Sequence, residues 1–283
     1  MNKLDRSKRA QILRCLTEGT SIRAAARLTD CAINSVVKLL IQAGRACTEY
    51  QDRTLRKLNC QRLQLDEVWS FVYCKEKNAT AEEKAAGAGD AWTWTALDAD
   101  SKAIVGWFVG PRNARSAFHF IGDLVDRMAS RKVQITTDGL SLYVNPVHSM
   151  FCGEADYAQL QKIYGTEPMP SGRYSPAQCM GSRRAVLNGN PDPAHVSTSY
   201  VERQHLTLRM NNRRFTRLTN AFSKKLQNLE HSVALYTMSY NFCKIHSSHR
   251  VTPAMQLGIA DHVWETEEIV DLIDALEMAG NSK

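Results

Sequence analysis

The sequence lacks three features that would place the chain outside the cytoplasm or give it structural zinc. Its apolar runs stay well short of the roughly 20 residues that a membrane-spanning helix needs, so we expect no membrane span. The first residues, MNKLDRSKRAQILRCL, have neither the apolar core nor the small-residue cleavage site of a secretory signal. The 8 cysteines include no C-x-x-C pair, which argues against a zinc knuckle and favours reduced thiols packed as small apolar groups. A cytoplasmic location is therefore expected.

Acidic residues are outnumbered by basic residues, and the basic residues cluster. The chain of 283 residues has a formal charge of +7, with 43% apolar and 23% charged residues, as in a soluble protein of about two domains. An evenly spread excess would serve only solubility. Here seven basic residues fall between positions 203 and 225, an arrangement that suits a phosphate backbone. They are Arg203, Arg209, Arg213, Arg214, Arg217, Lys224 and Lys225.

Three helical patterns precede the first strand pattern. The segment LDRSKRAQILRCLTEG has apolar residues at helical spacing, a second helix follows Ser21 as its N-cap, and a third is expected to end at Gly44. A short helix, a tight turn and a following helix form the helix-turn-helix plan, so residues 1–44 are predicted to be a small all-α DNA-binding domain. A plain three-helix cap without a nucleic-acid role is the alternative. The side chains able to reach a groove are Asn34, Ser35 and Lys38.

The rest of the chain changes to strand periodicity. Residues 45–62 are polar and basic and are interpreted as a linker with one short helix. The segments LQLDEVWSFVY, AWTWTALD, KAIVGWFVG and VQITTDG are predicted strands, with a helix before the last, which gives the order β-β-β-α-β. Residues 63–260 are therefore interpreted as an α/β catalytic domain, with an insertion at about 144–200 in which DYAQLQKIYG could be a strand. Residues 261–283 are expected to form a C-terminal helix and tail.

Four acidic residues stand where a carboxylate needs an explanation. Asp66 and Glu67 interrupt an apolar strand, although an unpaired buried carboxylate costs several kcal/mol. Asp138 follows VQITT at the end of a strand, where α/β proteins place ligands, although it could equally open an Asx turn. Glu202 is surrounded by the basic cluster, and a surface salt bridge is its alternative explanation. On a helix, Glu202 shares one face with Arg209 and Arg213.

A divalent metal explains three of these acids together. Hard carboxylate oxygens suit Mg²⁺ or Mn²⁺, and two such ions about 3.5–4 Å apart can clamp the attacking and leaving oxygens of a phosphoryl displacement. We therefore expect Asp66, Asp138 and Glu202 to meet at the sheet edge and to bind two ions. Strand alternation directs Glu67 to the opposite face of the sheet, where a structural role is expected.

Several segments together resemble bacterial insertion-sequence transposases of the DDE superfamily, most closely the insertion-sequence-one family. They are LDEVWSFV, GDAWTWTALDADSK, TTDG, DYAQLQKIYG, RYSPAQCMG, STSYVERQHLTLRMNNRRFTRLTNAFSKK and YNFCKIHSSHRVTPAM. The resemblance extends from about residue 30 to 270; the block at 198–225 is highly specific, whereas TTDG alone is weak. It differs from relatives that carry a cysteine-paired zinc module before the helix-turn-helix.

The resemblance implies an RNase H-like fold of β-β-β-α-β-α order and the catalytic, metal-binding triad Asp66, Asp138 and Glu202. Relatives have a basic residue seven positions after the glutamate that contacts DNA, and Arg209 occupies that position. Water would cut the phosphodiester at an element end, and the freed 3′-OH would attack target DNA. The partners implied are terminal inverted repeats and target DNA, bound by at least a dimer in the bacterial nucleoid. The DNA-binding candidates are Arg209, Arg213, Arg214 and Arg217, with Asn34, Ser35 and Lys38.

Two other functions use the same residues. A domesticated, catalytically silent protein would keep the DNA-binding helices without cutting, and an RNase H-like endonuclease would cut without joining strands. His205 lies three residues after Glu202 and is a further candidate for the site, although most lone histidines in such helices serve packing.

Overall fold

One mixed sheet of six strands organises the chain, and the computed structural model describes residues 3–165, 179–217 and 219–281. The strands are numbered in the order in which they occur along the chain, and they lie side by side in the order β3-β2-β1-β4-β5-β6. The strands are β1 Arg62–Val72, β2 Gly89–Asp98, β3 Ile104–Gly110, β4 Gln134–Thr137, β5 Asp156–Tyr164 and β6 Cys179–Asn188.

Strand directions divide the sheet into two parts. Strands β1, β2 and β3 pair antiparallel, whereas β4 is parallel to β1 and β5 is parallel to β4. Strand β6 returns antiparallel along β5. The expectation of a mixed α/β sheet entered by three consecutive strands is confirmed, and this arrangement is consistent with an RNase H-like fold.

Helices pack on both faces of the sheet, and others pack mainly on one another. A four-residue helix, α9, and the five-residue α4, in the charged loop after β1, are the shortest. The helices are α1 Arg6–Thr17, α2 Ile22–Leu28, α3 Ile33–Thr54, α4 Ala81–Ala85, α5 Ala114–Arg127, α6 Val144–Met150, α7 Ser199–Asn211, α8 Leu226–Met238, α9 Pro253–Gln256 and α10 Thr266–Asn281. Over the part of the chain just defined, none of them has the length and apolarity to span a bilayer.

Strand β1 supplies the apolar cores on both faces of the sheet because its side chains alternate. Leu63 and Leu65 belong to a core with α5 and α6, whereas Val68 and Val72 belong to a second core with α7 and α8. Asp66 follows the register of Val68 and faces α7. The strand that carries the candidate acid is therefore buried from both sides.

A third core joins the N-terminal helices to the end of the chain. Buried residues of α1, α2 and α3 pack with α8 and α10. The prediction that Gly44 ends the third helix is wrong, because α3 continues to Thr54 and includes much of the segment interpreted as a linker. A Cβ at Gly44 would collide with the backbone and Cβ of His231, so the missing side chain lets α3 and α8 approach closely rather than stopping the helix.

The segment interpreted as an insertion belongs partly to the sheet. The strand expected at DYAQLQKIYG is confirmed as β5, and β6 forms a largely exposed edge strand beside it. Part of the turn-rich stretch between them, residues 166–178, lies outside the described residues.

Candidate active site

Parallel pairing of β1 with β4 brings Asp66 and Asp138 together. The register matches Leu65 with Thr137, so the next residue on each strand is one of the two acids. Asp66, Glu67 and Asp138 each offer a carboxylate oxygen, and these three oxygens lie within 4.8 Å of one another. Local sequence explains the placement: β1 is β-branched and aromatic enough to stay extended, and Asp138 comes directly after the short strand QITT.

Asp66 is held between the strand and α7. Its Oδ1 accepts a hydrogen bond from the backbone N–H of Glu67 at 2.9 Å, and its Oδ2 lies 3.2 Å from Nδ1 of His205. His205 is buried, and its Nε2 has no hydrogen-bond partner among the residues described. The histidine therefore contacts the acidic cluster directly and does not merely pack in α7.

Asp138 makes the hydrogen bond of an Asx turn, which is its alternative role, and it also lies in the acidic cluster. Its Oδ1 accepts from the backbone N–H of Leu140 at 2.9 Å. Burial raises the pKa of Asp138, and the charges of Asp66 and Glu202 raise it further, while the Leu140 N–H and Arg112 lower it. The charged form is thus disfavoured by the fold alone.

Glu67 is the member of the cluster whose importance sequence reasoning missed. Its contact with Tyr143 places it on the opposite face from Asp66, as alternation predicts, yet its side chain reaches the two aspartates. The side chain is 1% exposed; Oε1 accepts from Arg112 Nε at 2.7 Å and Oε2 accepts from the Tyr143 hydroxyl at 3.0 Å. Burial, followed by the charges of Asp138 and Asp66, raises the pKa of Glu67 to about 7, although Arg112 opposes the shift.

Glu202 lies beside the cluster on the first turn of α7. Gln64 of β1 fixes this helix, because its Oε1 accepts from the backbone N–H groups of Tyr200 and Val201 at 2.9 and 3.1 Å. The Glu202 carboxylate accepts from Lys162 Nζ at 2.6 Å and from Thr198 Oγ1 at 2.6 Å. Its oxygens are not part of the group that lies within 4.8 Å. The structure therefore brings Asp66 and Asp138 together, whereas Glu202 lies nearby and is hydrogen-bonded to Lys162.

Arg209 is the member of the basic cluster whose pKa responds to the charge of Asp66. It is half-buried, and burial lowers its pKa, as does the charge of Arg217, while the charge of Asp66 raises it. Arg217 is exposed. Arg209 is thus influenced both by a carboxylate of the candidate site and by another cation of the basic cluster, and its positive charge would attract an anionic substrate.

The other basic candidates lie beyond the end of α7. Arg213 donates to Thr219 Oγ1 at 3.1 Å, and Arg214 donates to the backbone carbonyl of Phe222 at 3.1 Å. Burial lowers the pKa of Arg214. Arg214 thus also holds the connection that leads to α8.

The candidates on the N-terminal helices occupy the first turns of α3. Asn34 and Lys38 are exposed, and Ser35 is half-buried. Asn34 lines a groove together with Arg213 and Arg214, so two groups of residues that are distant in sequence share one surface.

Comparisons with known proteins found only distant structural likenesses. No protein-family model matches the sequence, and the comparison with curated proteins finds no match. A Mos1 transposase paired-end complex with left transposon end is 12% identical over 56% of this chain and 60% of that one, with a TM-score of 0.25. A pre-cleavage Mos1 transpososome is 11% identical over 84% and 79%, with a TM-score of 0.27. A piggyBac transposase synaptic complex with hairpin DNA is 10% identical over 90% and 57%, also with a TM-score of 0.27.

The acidic residues of the cluster fit a hard divalent cation. Three carboxylates share one immediate guanidinium, that of Arg112, so the cluster is short of positive charge. Both oxygens of Glu67 already accept hydrogen bonds, which leaves the aspartates as the better ligands. Mg²⁺ and Mn²⁺ prefer a few carboxylate oxygens completed by water and phosphate.

Proposed function

We propose that this chain is a DNA transposase of the DDE superfamily, of the bacterial insertion-sequence-one type, which cuts at element ends and joins the 3′-OH to target DNA. The observation that carries the proposal is the placement of Asp66 and Asp138 at the end of the parallel pairing of adjacent strands, in a cluster of three carboxylates that has Arg112 as its guanidinium partner among the described residues. The basic side chains of Arg209 on α7 and of the segment that follows this helix favour an anionic substrate.

Asp66, Asp138 and Glu202 are the proposed ligands of two Mg²⁺ or Mn²⁺ ions. Such ions, when bound, would stabilise the attacking and leaving oxygens of an in-line displacement at phosphorus. Gln64 accepts from the first turn of α7 and so positions this helix, with Glu202 towards the strand acids. Arg209, on the same helix, would bind the phosphate backbone beside them. Glu202, which accepts from Lys162 in this structure, would hold an ion in place of that hydrogen bond.

The proposed domain layout assigns end recognition to residues 1–44 as a helix-turn-helix domain, with Asn34, Ser35 and Lys38 at the DNA. Residues 45–62 connect it to the catalytic part at 63–260, and 261–283 form the C-terminal helix and tail. The packing of α1 and α3 against α10 supports a fixed placement of this domain. Two element ends processed together require at least a dimer on DNA.

A strand-joining assay tests the proposed function. The purified chain is incubated with Mg²⁺, a supercoiled target and element-end DNA that carries a pre-cut 3′-OH, beside the D138N and E202Q variants. We expect joined products from the wild type and almost none from either variant. Equal product from D138N and wild type would contradict the catalytic role. Cleavage without joining would identify an endonuclease, and binding without cleavage would identify a silent DNA-binding protein.

A further inference from the structure

A groove of about 1060 Å³ runs between the N-terminal helices and the connection from α7 to α8. One wall is formed by the end of α1 and by α2 and α3, and the other is formed by residues of 212–214 and 219–228 together with α8. It lies outside the carboxylate cluster, and none of the acids of that cluster lines it.

The groove is built with one sign of charge. Its lining contains Arg23, Arg213, Arg214, Lys224 and Lys225, while the described part of the lining contains no aspartate or glutamate. Arg214 is occupied by the backbone carbonyls of the connection, but Arg23, Lys224 and Lys225 are exposed. Like charges gathered along a concave surface indicate a polyanionic occupant, since the described lining has no acidic side chain to offset them.

The start of α8 adds a second anion-binding feature to the same wall. Lys225 is the N-cap of this 13-residue helix, and no side-chain cap bonds its first N–H groups in the structure as described. Free N–H groups and the positive end of a helix dipole attract phosphate. The lysines therefore stand where a backbone phosphate would also meet a helix terminus.

The two walls of the groove are fixed to each other. The turn after α1 contains Gly19, whose φ is +76, and a Cβ there would collide with the carbonyl of Met210 near the end of α7. Lys244 joins the same elements, because Nζ donates to Asn211 Oδ1 at 3.2 Å and pairs with Glu18 at 3.0 Å. The groove is therefore a preformed feature of one chain and does not depend on domain closure.

Helix α7 spans the distance between Glu202 and this groove. Glu202 lies on its first turn, and the groove lining begins at Asn212, ten residues later. At 1.5 Å per residue this is about 15 Å, which corresponds to about four to five base pairs of duplex at 3.4 Å each.

We propose that the groove holds the sugar–phosphate backbone of the same DNA segment that reacts at the carboxylates, about four to five base pairs from the reacting phosphate. The α2–α3 unit and the acidic cluster of one subunit then act on one DNA end. This inference rests on the proposed function for the identity of the reacting phosphate, while the groove itself rests on charge and geometry.

The test compares two matched pairs of adjacent, exposed cations. K224A/K225A removes charge from the groove, and R131A/K132A removes it from the opposite end of β4, away from the groove. Binding of element-end DNA is measured with Ca²⁺ over a range of salt concentrations, together with hydroxyl-radical footprints. We expect K224A/K225A to flatten the slope of log affinity against log salt by about two. It should also lose protection about four to five base pairs from the end, while R131A/K132A behaves as wild type.

The outcomes separate this inference from the proposed function. If K224A/K225A shows the same salt slope and footprint as R131A/K132A, the groove does not hold the DNA backbone, even if the wild type joins strands. A wild type that binds no DNA would overturn it as well. Loss of protection in K224A/K225A by a protein that never joins strands would support the groove and refute the transposase.

Discussion

Two clusters of three acids in this molecule are built in opposite ways. On α10, Asp271, Asp274 and Glu277 face α1, and each has a cation: Arg6 lies 2.7 Å from Asp271, while Lys3 lies 2.7 Å from both Asp274 and Glu277. Arg9 adds a contact of 2.6 Å to Asp274. At the sheet, the structure as described gives Asp66, Glu67 and Asp138 fewer cationic partners, since Arg112 pairs with Glu67 and His205 lies 3.2 Å from Asp66.

The pKa values of the two clusters move in opposite directions. Hydrogen bonds from Arg9 and Arg6 lower the pKa values of Asp274 and Asp271, so these ionised acids stabilise the docking of the C-terminal helix. Burial raises the pKa values of Glu67 and Asp138, so their charges oppose folding. Acids that destabilise the fold indicate a role other than stability, and a bound cation would offset their charges.

The largest expected contrast is in activity. The D66N variant should reduce the rate of strand joining by about 10³-fold, because a neutral amide binds a divalent cation far less well than a carboxylate. The matched D271N variant, at an exposed acid of α10, should join strands at the wild-type rate. Rates are measured with pre-cut DNA and Mg²⁺. Comparable losses in both variants would show that the two clusters do not differ in function.

A pH series should sharpen the comparison through Glu67. Because its pKa rises from 4.5 to about 7 in the fold, the unfolded state releases its proton first as pH increases. The metal-free wild type should therefore lose up to about 1.4 kcal/mol of unfolding free energy per pH unit between pH 4.5 and 7. Urea titrations in EDTA should show that E67Q lacks this decline. A parallel decline in E67Q would assign it to other groups.

The α10 cluster should respond with the opposite sign. Arg9 is 8% exposed at its side chain, so D274N leaves a buried guanidinium with a weaker partner and should cost about 2 kcal/mol at pH 7. Since the pKa of Asp274 is lowered from 3.8, this difference should persist above pH 4 and disappear as pH falls through the folded pKa. Urea unfolding of both proteins from pH 7 to pH 2 measures it. A D274N deficit that does not change with pH would contradict the ion-pair account.

The smallest expected effect is a gain. D138N should stabilise the metal-free protein by about 1 kcal/mol, because the neutral form is the one that the buried cluster favours. Added Mg²⁺ should stabilise the wild type and leave D138N unchanged. Thermal unfolding with EDTA or Mg²⁺ makes the comparison, and a D138N protein less stable than wild type in EDTA would refute it.

Local sequence predicted the elements that carry the acids, because their signals are local. The run of apolar and aromatic residues predicted β1, and the β-branched QITT before an aspartate predicted β4 and its end. The strand at DYAQLQKIYG was also readable from pattern alone. The closeness of Asp66 and Asp138 followed once β1 and β4 were taken as neighbours in one sheet.

Other features depend on partners that are distant in the chain. The face of Glu67 followed from strand alternation, but its contacts could not be predicted because its partners, Arg112 and Tyr143, lie 45 and 76 residues away. Gly44 has the sequence signature of a helix end, yet contact with His231 makes it an interior residue. No pattern in TEEIVDLIDALEMA indicated that α10 would pair with α1, since the cations are at the other end of the chain.

The most direct test of the account is the position of Mn²⁺ in crystals soaked with the ion, located by its anomalous scattering. The account predicts manganese bound by oxygens of Asp66 and Asp138, with Glu202 turned from Lys162 towards it, and no manganese on the α10 acids. Manganese held elsewhere, or retained at the sheet in a D66N/D138N protein, would contradict it.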